Sequence, residues 1–323
     1  DAWRLRYTLT DLQRAARQLT NDIAQRRGRP LHVAVRVAGT LESCARIGYD
    51  VPTWVEEDLC DMVIPAGAAA TDPSLDIQAF VELCQPRNIR VYGGFDGGLP
   101  DPWVGPEDHL HKDQLRTRAI ASRYHAAGAD GVYAFNWHAD ADRRRLLLTQ
   151  IGSTETLHGT DRVFAATHRF LVHEGPWRGA YRPDRTLGQV PVPLRQTLTE
   201  CGPVIELNIP AVFTADPVQR VELRLHLCEW VDGDEIMVKW DGQALPAPTY
   251  SLDLTGDTTG VSRIGGAVWL RFALAPERIT AGIHRVETIL QQRHPQLACD
   301  LVLTDVELAV ACSDVYASSL LPA

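Results

Sequence analysis

"GADGVYAFNW", residues 128–137, decides how the first half of this chain is read. A Gly-Ala-Asp-Gly turn runs straight into Val132, Tyr133, Ala134 and Phe135, a short apolar run that ends on Asn136, Trp137 and His138. A strand that is apolar on both faces suits a parallel sheet whose faces are covered by helices. The flanks agree: about 113–127 has helical character, and "ADRRRLLLTQIG" (141–152) predicts a helix on the other side.

Toward the N-terminus the same order recurs. "IRVYGGF" (89–95), "DMVIPA" (61–66) and "LHVAVRV" (31–37) read as strands. Between them, "DIQAFVELCQP" (76–86) puts Ile77, Phe80, Val81 and Cys84 on one helical face, and "TLESCARIG" (40–48) and "VPTWVEEDL" (51–59) predict two short helices. A first helix places Leu12, Ala15, Ala16, Leu19 and Ile23 on one side, with Thr10 or Asp11 as its cap and Gly28 as its stop. Four such units make an α/β fold, either an open sheet or half of a (β/α)8 barrel. No GxGxxG follows the first strand, and "GGFDGG" (93–98) has neither the spacing nor a helix directly after it, so no dinucleotide cofactor is expected, nor any other.

In a barrel, chemistry sits at the C-terminal ends of the strands. Those ends carry Arg36, Pro65, Phe95 with Asp96, and Asn136 with Trp137 and His138. Polar groups beside aromatics fit a sugar, whose hydroxyls take directional hydrogen bonds while its apolar face stacks on a ring. Structural duties compete: a strand-end Asp often caps a turn, Arg36 suits a structural ion pair equally well, and an exposed rim His is most often inert.

"RPLHVAVRVAGTLESCARIGYDVPTWVEEDLCDMVIPA", "IRVYGGF", and "AAGADGVYAFNW" followed by "LTQIGSTETLHGTDRVFA" resemble the later half of bacterial glycosyl hydrolase-like TIM-barrel proteins of the family-ten-like group. The resemblance covers roughly residues 20–170, and its most specific elements are "GYDVPTWVEEDLCD" and "GADGVYAFNW". It implies that Leu31, Met62, Ile89 and Val132 begin barrel strands five to eight. Only about 30 residues precede Leu31, so it also implies an N-terminally truncated barrel with two open sheet edges, a surface prone to self-association. Glycosidases flank the scissile bond with two carboxyl groups, about 5–5.5 Å apart when retaining and about 6.5–9.5 Å when inverting. By resemblance Asp96 is the nucleophile or base, although Glu is commoner at such a position. Arg36 then orients substrate, Phe95, Asn136, Trp137 and His138 line the sugar subsite, and the second carboxylate is not in view.

From residue 199 the periodicity changes to two. "VIELNIPAVF", "VQRVELRLHLCEW", "DEIMVKWDGQAL", "GAVWLRFAL", "GIHRVETIL" and "DLVLTDVELAV" predict at least six antiparallel strands, a β-sandwich or jelly roll. The last strands resemble, more weakly, galactose-binding-type sandwiches. The expected organisation is a barrel portion over 1–172, a Pro/Gly-rich linker over 173–198, a sandwich over 199–314 and a tail over 315–323. The alternation favours core packing over sugar stacking for Trp230, Trp240 and Trp269. "DLTGDTTG" (253–260) reads as a solvated turn in preference to a calcium loop.

Composition bounds the rest. With 323 residues, 45% hydrophobic and 23% charged, the chain has material for a large core. Its net charge of -9 argues against nucleic acid as a partner. Seven cysteines without a CxxC pair, and dispersed His226, His284 and His294, predict no metal site. No apolar run approaches the roughly 18 residues that cross a membrane. The sequence begins at Asp1 without an apolar leader, which leaves location open; a signal peptide upstream would place the protein outside the cytoplasm. Two functions follow: a glycoside hydrolase acting on a poly- or oligosaccharide, given a complete barrel, or a non-catalytic carbohydrate-binding or structural protein.

Overall fold

A computed structural model describes residues 2–67, 75–96, 108–135, 142–166, 189–196, 201–210, 217–252 and 266–312. The fold is mixed α/β with several sheets. Its contacts divide it into two units, one of residues 1–99 and 124–138, the other of 100–123 and 139–323. No helix among the described residues is long and apolar enough to cross a membrane.

The first unit is built on four parallel strands in the order β1-β2-β3-β4: β1 (Ala34–Val37), β2 (Met62–Pro65), β3 (Arg90–Asp96) and β4 (Gly131–Phe135). The sheet is open; the described strands close no barrel. The two sequence stretches most specific to the barrel resemblance share one device. Asp61, just before β2, accepts the Val33 N–H (2.7 Å), and Asp130, just before β4, accepts the Val91 N–H (2.8 Å). Each carboxylate satisfies a backbone donor beside a neighbouring strand, which pins register at the sheet's N-terminal edge.

Helices α2 (Leu41–Arg46), α3 (Val51–Glu56) and α4 (Ile77–Cys84) begin on side-chain caps from Thr40, Asp50 and Asp76, each accepting an N–H from three residues on. On α4 the expected residues Ile77, Phe80 and Cys84 are buried. The two glycines of "YGGF" have steric reasons. A Cβ on Gly93 would fall 2.1 Å from the Tyr124 ring, and one on Gly94 would fall 2.6 Å from the Ala66 Cβ on a different side.

Helix α1 (Arg6–Arg27) corrects the sequence reading twice. It starts before Thr10, on a 3-10 turn over Ala2–Leu5, and ends as expected at Gly28 in the left-handed region (φ 66°). It also docks through its polar side. Thr10 is buried and accepts from Trp54 Nε1 (3.0 Å), Gln13 donates to the Leu59 carbonyl (3.2 Å), Arg14 pairs with Glu57 (2.5 Å) and Arg17 with Asp61 (3.0 Å). Leu12 and Leu19 of the apolar stripe consequently face out, at 66% and 57% exposure, while Ala16 and Ile23 are half-buried.

The second unit contains α5 (Asp108–Ala126) up to Arg123, then α6 (Asp142–Gln150), α7 (Thr154–Leu157) and two antiparallel sheets. One sheet has the order β10-β9-β13-β7: β7 (Val204–Ile209), β9 (Glu235–Trp240), β10 (Gln243–Ala244) and β13 (Gly282–Gln292). The other runs β11-β12-β8-β14-β5: β5 (Arg162–Ala165), β8 (Arg220–Trp230), β11 (Thr249–Leu252), β12 (Gly266–Leu274) and β14 (Leu301–Ala311), with β6 (Val192–Leu194) also pairing with β14. Strand β5, which the sequence reading groups with the parallel units, pairs with Glu307–Val310 of β14.

Both antiparallel sheets feed one hydrophobic cluster. Leu223, Leu225 and Leu227 of β8 and Val306, Leu308 and Val310 of β14 share it with Ile205 and Leu207 of β7, Trp240 of β9 and Val286 of β13. Period-two alternation sends every second residue there, as the sequence predicts. Trp240 is a core residue, stacked on His284 at 4.7 Å, and Trp230 packs against the cluster, whereas Trp269 is half-buried and not part of it.

Candidate functional site

At the C-terminal edge of the parallel sheet the backbone register sets Asp96 opposite Phe135, Phe95 opposite Ala134 and Val37 opposite Pro65. Arg36 and Phe135 meet there. The Arg36 guanidinium lies over the Phe135 ring, 4.6 Å from its centroid, and its Nη2 donates to the Gly67 carbonyl at 2.6 Å. β1 and β4 are the two edges of the sheet, three strand intervals apart, or about 14 Å in a flat sheet. The contact spans that distance only if the two side chains lean toward each other over one face, as on a concave sheet.

Such a cation–π contact contributes about 0.5–2 kcal/mol. It leaves Arg36 Nε buried without a hydrogen-bond partner, which costs about 1–3 kcal/mol. Arg36 is thus held by a ring face and one carbonyl, and the structural ion pair weighed from the sequence is not seen among the described residues. Phe95 is buried at 2% exposure, packed inside the unit. Asp96 is the last residue of β3. Asn136, Trp137 and His138, the other expected rim residues, lie outside the described residues.

A groove lined by Arg17, Asn21, Gln25, His32 and Asp61 opens at the other end of the strands, where β1 and β2 begin. Its central carboxylate is occupied structurally. Burial raises the Asp61 pKa, but the Val33 N–H and the Arg17 guanidinium outweigh it and hold the group below its ordinary range.

In the second unit the outward face of the β8/β14 sheet carries a polar layer that sequence reasoning missed. Arg116 of α5 binds Asp305 (2.5 Å) and Glu307 of β14, and Arg224 of β8 binds Glu222 (2.6 Å). Burial lowers the Arg116 pKa, and the two carboxylates more than reverse this, raising it overall. His226 shares a hydrogen bond with Thr304 (2.6 Å), and its ring centroid lies 4.7 Å from that of Trp269. Alternation along β8 and β14 would have placed these groups on one face. That a helix nearly 200 residues away in sequence supplies their counter-charge has no local signal. Among the described residues no group of three or more His, Cys, Asp or Glu side chains is arranged to hold a metal ion.

No known protein family's sequence profile matches this chain, and no curated protein matches it. Among solved structures it aligns with a cycloisomaltooligosaccharide glucanotransferase of Paenibacillus sp. crystallised with cycloisomaltoheptaose. The identity is 8% and the TM-score 0.20, over 78% of this chain and 35% of that one. The chain therefore spans about a third of that enzyme's length, and likeness at this TM-score carries no argument about fold or activity.

Proposed function

We propose that the parallel sheet is the closing portion of a (β/α)8-type barrel, that the antiparallel sheets form a β-sandwich, and that the protein is glycoside hydrolase-like, acting on a poly- or oligosaccharide at the C-terminal strand ends. The observation that carries this reading is the Arg36–Phe135 contact, because convergence of the two edge strands over one face is what a barrel wall produces. Asp96 is the nucleophile or base. Arg36 orients the substrate, Phe95 packs beneath the rim, and Asn136, Trp137 and His138 line the sugar subsite. The exposed Leu12 and Leu19 on α1 and the edge of β1, unpaired among the described residues, belong to the same reading, as surfaces through which the parallel sheet self-associates.

The test is release of reducing ends from a broad panel of poly- and oligosaccharides by the full chain and by Asp96→Asn. Turnover by the wild type that is lost in the variant supports catalysis at this rim. A chain inert on the whole panel contradicts it and leaves the non-catalytic carbohydrate-binding reading.

A further inference from the structure

The outward polar layer of the β8 sheet is balanced on one side and unbalanced on the other. Toward β14, each cation has its carboxylate: Arg116 with Asp305 and Glu307, Arg224 and Arg220 with Glu222. Toward β12 the pattern breaks. Arg271 sits directly across from Arg224 in the register, and like charges in that position oppose each other. Among the described residues Arg271 has no ion-pair partner, and its Nε is buried without a hydrogen bond. Burial, and next the Arg224 charge, lower its pKa. Among the described residues the charges that act on Arg271 are Arg224 and Arg220 against Glu222 and Glu307, and Arg271 itself pairs with none of them.

The neighbours of Arg271 are specific in kind. Trp269, two residues back on the same face, is half-buried, stands outside the core cluster and is tilted 42° against the His226 ring. Across the edge strand β11, Thr249 pairs with Arg271 and Ser251 with Trp269, which sets hydroxyls beside the cation and the ring. Residues two apart on a strand are about 6.6 Å from each other, the span of a pyranose ring with an exocyclic carboxylate. The Arg271 Nε is buried, so the two Nη groups, which are not among the buried unbonded atoms, present the outer edge of the fork that pairs with a carboxylate in two parallel hydrogen bonds.

We propose that Arg271, Trp269, Thr249 and Ser251 form a subsite for an acidic sugar, a uronic acid whose carboxylate is held by Arg271 and whose ring lies on Trp269. The subsite rests on the carbohydrate part of the function proposed above and is independent of catalysis at Asp96. Binding there brings a negative charge to the unbalanced end of the layer.

The test uses the full chain, with ligand-observed NMR and titrations of D-glucuronic acid, D-galacturonic acid, their methyl esters and inorganic sulfate. The expected result is that at least one acid binds tenfold or more tighter than its ester and than sulfate. Arg271→Met should remove that preference, Trp269→Leu should weaken the acid, and Arg271→Lys, which keeps the charge without the fork, should bind it between wild type and Arg271→Met. Near-UV circular dichroism checks that each variant is folded. Acid and ester bound equally, with Trp269→Leu weakening both, overturn the acidic subsite and leave the carbohydrate reading standing. Sulfate bound as well as the acids overturns the sugar. No binding of either acid overturns the subsite outright, and hydrolysis of a neutral glycan in the panel above then still stands on its own.

Discussion

The parallel sheet and the β8 sheet place their chemistry differently. In the parallel sheet the strands are four to seven residues long and polar groups collect where they end, at Arg36 and Asp96. In the β8 sheet the strands reach eleven residues, and the face away from the main core carries the charged layer beside a small apolar cluster of Leu115, Val163, Ala309 and Ala311, while the core face is mostly leucine and valine. Strands buried on both faces have only their tips to offer a ligand. A strand with one core face offers its other face along its full length, and Glu307, at 1% exposure, shows that such a face can be buried too. Carboxylates placed there need a partner, which is why α5 sends Arg116 to them.

The contrast breaks most sharply at Arg116. Arg116→Met leaves Asp305 and Glu307 without their shared cation and should destabilise the second unit by about 3–5 kcal/mol in urea unfolding. A loss under about 1 kcal/mol would show that the polar face is solvated and not a buried layer. In the parallel sheet, the tight strand packing is tested by Gly93→Ala, whose Cβ would sit 2.1 Å from the Tyr124 ring. An overpacking cost of about 1–3 kcal/mol is expected.

The acid limb sharpens the comparison at the N-terminal ends of the parallel strands. Asp61 has a folded pKa below its ordinary value, so the stability it lends is present above the unfolded carboxylate pKa and is lost as pH falls through the folded one. Asp61→Asn should flatten the fall in melting temperature on acidification. An acid limb identical in the two proteins would assign that slope to other groups.

The smallest effects are read by thiol chemistry. Cys44, Cys60 and Cys84 of the first unit are buried, and burial pushes their pKa up to about 11, 12 and 12. They should resist an aromatic disulfide reagent at pH 8, where exposed Cys201 reacts at once. Because these pKa values are raised in the folded state, their stabilising contribution is complete below the unfolded thiol pKa and declines as pH rises toward the folded values. Stability should accordingly drop above about pH 9.

Much of the fold was legible because period alone specifies it. The four parallel strands, the buried face of α4 and the alternation of β8, β13 and β14 all follow from where apolar residues recur. The face used by α1 was not. Periodicity finds the stripe of Leu12 and Leu19 but not its partner, and Glu57, the Leu59 carbonyl and Asp61 draw the polar side inward instead. At the rim the sequence named Arg36 without its partner. The Phe135 ring reaches it only because the sheet brings its two edges over one face, a property of curvature that no window of residues records. Trp269 was grouped with the core tryptophans, since alternation gives faces but not which of them meets the core.

The central claim is that the rim of the parallel sheet acts on a glycan through Asp96. Its most direct measurement pairs turnover with affinity, using the best glycan from the hydrolysis panel, for the wild type and Asp96→Asn. The account predicts that turnover falls by about 10³-fold or more while the dissociation constant stays within about threefold and the near-UV spectrum is unchanged, the pattern of a group that acts on the transition state alone. Turnover that survives the substitution would contradict it.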